Sequence, residues 1–247
     1  MTACFVVGAT DRGLRRARNE DSFLVLPDQG IAVVADGMGG HPGGDVASLV
    51  AARSAAEALR DLQPSAHATL EDRERAMRES VLLGHEAVQA RSEGEPSLAG
   101  MGTTITCIAY DGVTKRFTIG NVGDSRAYLY RAGTLEQLTR DDTWLQERID
   151  AGEVRREDAA GHPEGHLLTQ CVGLAQAPHP RVVGGRTEPA DVFLLCSDGL
   201  IACLTDSEIA EVLEGRPGAQ RTLEALIGAA NAAGGFDNIT VVLLGVS

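Results

Sequence analysis

Ile31-Ala32-Val33-Val34-Ala35-Asp36-Gly37-Met38-Gly39-Gly40 decides the fold. An uninterrupted apolar, β-branched run ends at a carboxylate, and glycines follow at once. With nothing polar inside it, the run reads as a strand buried on both faces. Asp36 then stands where the backbone leaves the core. Gly37, Gly39 and Gly40 let the chain turn tightly and bring backbone groups close to whatever Asp36 holds. The pattern returns at 192–199, where an apolar run ends at Asp198, and at 235–242, where Asp237 leads the strand instead. One Asp-Gly is only a turn signal. Asp111-Gly112, between two strand-like runs, reads as a hairpin turn. Three carboxylates at the ends of apolar strands, without basic neighbours in sequence, are a different matter. Brought together and buried they repel, and a hard divalent cation such as Mg²⁺ or Mn²⁺ resolves the conflict.

The chain has 247 residues, 43% of them hydrophobic, enough for one large core. Its formal net charge of −13 lacks the basic field that nucleic-acid binders use. No run approaches the roughly 20 apolar residues of a membrane span, and the first residues carry no secretory signal pattern. Cys4, Cys107, Cys171, Cys196 and Cys203 form no CxxC pair and read as buried thiols of a reducing compartment.

Strands are expected at 4–9, 22–26, 31–36, 103–110, 116–122, 126–131, 135–138, 182–186, 191–197 and 239–246. Helices are expected from Asp45, as cap, to about residue 62, then over 70–91, 206–213 and 219–233. The stretch 139–173 breaks the pattern, with a short helical piece at 144–151 and a charged run. Its composition suits a mobile surface insert beside a site. The sum is one α+β domain over 1–247: two sheets face to face with two pairs of helices outside.

Gly13-Leu14-Arg15-Arg16-Ala17-Arg18-Asn19-Glu20-Asp21-Ser22 resembles the G-x-x-R-x-x-N-E-D-S opening of the protein phosphatase type 2C family, and Asp36-Gly37-Met38-Gly39-Gly40-His41 its bacterial D-G-M-G-G-H element. Met101–Thr104, Asn121–Tyr128, Leu195–Leu200 and Asp237–Thr240 are similar to further elements, in the family's order and over nearly the whole chain. The resemblance implies an αββα sandwich of two mainly antiparallel sheets with a two-metal site at one end. Asp36 would bridge two Mn²⁺ or Mg²⁺ ions, with the Gly37 carbonyl on one; Asp198 and Asp237 would complete the other. Glu20 and Asp21 would act mostly through bound waters, Asn238 would orient, and Asp124 would hold a weaker third ion. Arg16 would grip the substrate phosphate, for which its planar fork is suited. The implied reaction is attack of a metal-bridging hydroxide on phosphoserine or phosphothreonine in proteins, opposing a serine/threonine kinase.

Some readings stay local. Arg16 lies among Arg12, Arg15 and Arg18, and a solvated basic stretch would look alike. His41 reads as a loop histidine, and His162 and His166 as surface residues of the insert. Two departures stand out. Eukaryotic members carry histidine two residues after the bridging aspartate, and that position is Met38. The family often has Asp-His-Ser where this chain has Asp141-Asp142-Thr143. A catalytically dead phosphoprotein-binding relative would lose a metal carboxylate, and all three stand here. A phosphatase dedicated to one anti-sigma-type antagonist would usually carry a sensor domain. The expectation is therefore a cytoplasmic, monomeric protein phosphatase whose partners are phosphoproteins, not nucleic acid or membrane.

Overall fold

The computed structural model describes residues 4–39, 43–62, 68–158, 162, 164–215 and 218–247. In chain order the elements are β1 (Cys4–Asp11), β2 (Asp21–Leu26), β3 (Ile31–Asp36), α1 (Gly44–Asp61), α2 (Leu70–Glu93), β4 (Ile105–Asp111), β5 (Arg116–Val122), β6 (Arg126–Arg131), β7 (Thr134–Gln137), α3 (Trp144–Asp150), β8 (Arg181–Arg186), β9 (Val192–Cys196), α4 (Asp198–Ile201), α5 (Asp206–Gly215), α6 (Ala219–Ala232) and β10 (Ile239–Val246). They form two five-stranded sheets, β1-β10-β9-β6-β7 and β2-β3-β4-β5-β8. Every strand pairing is antiparallel.

The unbroken apolar runs follow from this layering. β3 lies between β2 and β4. Its Ile31, Val33 and Ala35 face α1 and α2, while Ala32 and Val34 face the other sheet. β9 divides in the same way: Val192, Leu194 and Cys196 pack under α5 and α6, and Phe193 and Leu195 point between the sheets. Side chains of successive strand residues take opposite faces, and here both faces are covered, so neither can be polar. The rings of Phe117 and Phe193 meet across the sandwich with centroids 4.7 Å apart. Removing a fully buried side chain such as Leu194 by substitution to alanine costs about 2–5 kcal/mol.

The expected boundaries hold to within about two residues, with two differences. Asp45 does not cap α1. Gly43, with φ of 72°, occupies the cap, and Asp45 sits in the first turn, where a carboxylate favours the helix's positive end. α4 was not expected, because four residues carry no periodicity. α2 begins at a reciprocal cap in which the Asp72 amide donates to Thr69 Oγ1 (3.1 Å) and the Thr69 amide to Asp72 Oδ2 (3.0 Å). Asp111 ends β4 and accepts from the Val113 amide at 2.8 Å, which makes the expected hairpin turn. The five cysteines are free; Cys107, Cys171 and Cys196 are buried, while Cys4 and Cys203 are partly exposed. No helix among the described residues is long and apolar enough to cross a membrane.

Candidate active site

Asp36 is the last residue of β3, and its backbone is fixed on both sides. Its amide donates to Thr104 Oγ1 (3.0 Å), and its carbonyl accepts from the Thr104 amide (2.9 Å) and from Thr103 Oγ1 (2.8 Å). The chain then turns through Gly37, where a Cβ would lie 2.2 Å from the Gly44 carbonyl oxygen, so only glycine fits. Asp198 opens α4 directly after β9. Next to it, a Cβ on Gly199 would meet the Asn238 carbonyl oxygen at 2.0 Å, which shows how closely this turn packs on the start of β10. Asp237 precedes β10 and accepts from the Asn238 amide at 2.8 Å.

These turns lie at the same end of the sandwich. Asp36, Asp198, Asp237, Glu20, Asp124 and Arg16 line one cavity of about 560 Å³, together with Gly37. The Asp36 carboxyl lies near enough to those of Asp21, Asp198 and Asp124 to feel their charge. Burial raises the pKa of Asp36 well above the usual carboxylate range, and the charges of Asp21, Asp198 and Asp124 push it further. Asp198 is raised by burial and by Asp237, and Asp124 by burial and by Asp198 and Asp141. Such a cluster favours protons or cations at its centre.

Arg16 Nη2 donates to Asp237 Oδ2 at 2.5 Å, and its side chain, 43% exposed, lines the cavity. Asn238 orders the segment that carries it. Its Oδ1 accepts from the Glu20 amide (2.8 Å), and its Nδ2 donates to the carbonyls of Arg12 and Arg18 (both 2.9 Å). Asp21 stands behind Asp36, its cross-strand partner, rather than in the cavity wall. Its Oδ2 accepts from Ser197 Oγ (2.7 Å) and Thr240 Oγ1 (2.6 Å).

Two carboxylate oxygens, Asp21 Oδ1 and Asp198 Oδ1, are buried without a hydrogen-bond partner. A buried carboxylate oxygen left so is costly unless a proton, water or cation meets it, and an all-oxygen donor set suits Mn²⁺ or Mg²⁺. The residues therefore fit a hard cation. Among the described residues no three His, Cys, Asp or Glu side chains close into a ready-made cluster. Asp237 is turned to Arg16, and hard cations take part of their shell from backbone carbonyls and water.

His41 and Gly40 lie outside the described residues. The reading of His162 as a surface residue needs correction, while His166 is a surface residue as expected. His162 is partly buried, with Nδ1 accepting from the Glu164 amide at 3.2 Å. His166 is exposed, but it lines this cavity and a second one of about 400 Å³ that shares Asp124 and Asp198. The insert holding them does lie beside the site, tied at both ends by the bridges Thr143↔Leu168 and Thr103↔Val172. Thr104, Ser197 and Thr240 hold the carboxylates in place. They fall within the family-like elements quoted above, but their use as supports for the carboxylates comes from the site's geometry.

A carboxylate-lined cavity beside one open arginine, at one end of two stacked antiparallel sheets, defines the class of sandwich phosphatases that use hard metal ions. The particular family is equally plain: the chain belongs to the protein phosphatase 2C family, whose sequence profile matches residues 14–235. It is 37% identical to the serine/threonine phosphatase stp of Listeria welshimeri over 95% of this chain and 93% of that one. The crystal structure of the Mycobacterium tuberculosis serine/threonine phosphatase PstP/Ppp superposes with a TM-score of 0.87 at 36% identity, over 99% of both chains. The catalytic domain of the serine/threonine protein phosphatase PstP, crystallised with two manganese ions, superposes with a TM-score of 0.84 at 37% identity, over 98% of both chains.

Proposed function

We propose that the protein is a metal-dependent serine/threonine protein phosphatase, a single catalytic domain with the insert at 139–173 as a flap over its site. The observation that carries this is the meeting of Asp36, Asp198 and Asp237, from both sheets, in one cavity with Arg16. Asp36 and the Gly37 carbonyl would hold one Mn²⁺ or Mg²⁺ ion, and Asp36, Asp198 and Asp237 the other. Glu20 and Asp21 would act through bound waters, and Asp124 would hold a weaker third ion. Bound there, the ions supply Lewis-acid activation of water and neutralise phosphate charge.

The protein's own groups do the rest. Arg16 presents planar donors to two phosphate oxygens. Asn238 and the Glu20 backbone fix the segment that aims it. Thr103 and Thr104 keep Asp36 at one height above the sheet. Cys171 also lines the cavity, but burial pushes its thiol up to about 11, which disfavours the nucleophilic thiolate, and direct displacement by water is the route of this reading.

The substrates are phosphoproteins made by a serine/threonine kinase, and the setting is cytoplasmic, with the protein acting as a monomer. Hydrolysis of a phosphothreonine peptide with and without Mn²⁺ tests the reading. Turnover that requires the metal supports it, and its absence in folded protein with every divalent cation tried would sink it.

A further inference from the structure

The phosphate end of the main cavity is charged, but its flap side is not. There Trp144, Leu167 and Leu174 line the same cavity, with 53%, 44% and 37% of their surfaces exposed. Large apolar side chains gathered at a cavity mouth mark a contact surface. These three also sit on fixed backbone. The Trp144 amide donates to the Leu167 carbonyl (2.9 Å), and Thr143 caps α3 by accepting from the Gln146 amide (3.1 Å). Gln89 Nε2, on α2, donates to the Leu174 carbonyl (2.7 Å). Beside Leu174, Gly173 adopts φ of 99°, and its amide donates to Nδ1 of the buried His85 (3.0 Å). The wall is thus exposed yet preorganised, a combination that lowers the cost of binding.

We propose that this wall is a specificity subsite for a bulky apolar side chain flanking the phosphorylated residue of the substrate protein, with Trp144 as its main contact. The occupant follows from continuity. The wall and Arg16 belong to one cavity, so whatever presents a phosphate to Arg16 runs its neighbouring residues past Trp144. The inference rests on the phosphatase reading and adds the kind of substrate sequence it favours.

The test compares phosphothreonine peptides carrying Leu, Phe, Ser, Asp or Gly on either side of the phosphothreonine, with the Mn²⁺-loaded full chain. Leu and Phe peptides are expected to exceed the Gly peptide in kcat/KM by about tenfold, the scale of one apolar side chain in a pocket. In Trp144→Ala the Leu-to-Gly ratio should fall towards one. Trp144 is the chain's single tryptophan, so a non-hydrolysable phosphonate analogue of the Leu peptide should shift its emission to the blue on binding. Equal kcat/KM for Leu and Gly peptides, a ratio that survives Trp144→Ala, or unmoved emission at saturation would each overturn the proposal. So would concentration-dependent dimerisation abolished by Trp144→Ser, which would assign the wall to a second copy of the chain. If no peptide turned over at all, the phosphatase reading would fail, while the emission shift would still read the subsite.

Discussion

Two sets of carboxylates withdrawn from bulk solvent behave in opposite ways in this protein. Asp141 and Asp191 each hold an arginine: Arg126 Nη2 lies 2.7 Å from Asp141, and Arg131 Nη2 lies 2.6 Å from Asp191. Asp142 likewise accepts from Arg181 Nε at 3.1 Å and from the Gly123 amide at 3.1 Å. Asp124 is as deeply buried, Asp36 and Asp198 are half-buried where they line the cavity, and among the described residues none of the three has a basic partner within ion-pair distance. The first set joins strands and loops. The second is left with one another, and their protonated forms are favoured. Burial of an acid thus says little about its role until its partner is known.

The contrast breaks most sharply in activity. Asp36→Asn should lower kcat by about a thousandfold or more, since it removes the group central to the cluster. Steady-state hydrolysis of a phosphothreonine peptide measures this; a loss under tenfold would place Asp36 with the structural set. The opposite behaviour is expected of a paired acid. Arg131→Ala leaves Asp191 with only the Glu188 amide, which donates at 2.7 Å. Because the arginine is one-third exposed, the cost should be about 2–3 kcal/mol rather than the full penalty for a buried pair. Urea unfolding reads it, and kcat/KM should stay within about twofold, since the pair does not line the cavity.

Arg16→Ala separates binding from chemistry. KM for a phosphopeptide should rise about tenfold while kcat falls less, because a charge-assisted contact to the phosphate is lost. An unchanged KM would return Arg16 to the solvated basic stretch.

The smallest effect concerns stability. The folded pKa of Asp36 is raised above its unfolded value, so the native state holds a proton longer than the unfolded chain does. That contribution favours folding at low pH and is lost as pH rises from the ordinary carboxylate range through the folded pKa. In chelator, at neutral pH, Asp36→Asn should therefore be more stable than the parent by about 1 kcal/mol. Thermal melts with and without Mn²⁺ check this, and added Mn²⁺ should reverse the order by stabilising only the parent.

Most of the architecture was legible because its signals are local. β3, β9 and β10 announce themselves as unbroken apolar runs, since both faces of each strand are covered. The candidate site was legible for the same reason: polar residues at the ends of such runs are conspicuous. What escaped depends on contacts remote in sequence. Asp21 leans on Ser197 and Thr240, 176 and 219 positions away, and nothing near them in the chain marks that use. His166 looked like surface and is exposed, yet its backbone path brings it over the cavity. The cap of α1 went to Gly43 rather than Asp45 because the tight turn after β3 demanded a left-handed residue there.

Asp36 hangs from one sheet, and Asp198 and Asp237 from the other, while away from the site the space between the two is filled mainly by apolar side chains. Oily contacts resist separation but tolerate sliding. A cation gripped by both layers would act as a rivet at one edge of that slip plane. Loading the ion should therefore slow deuterium uptake along β3 and β10 together, far beyond the residues it touches.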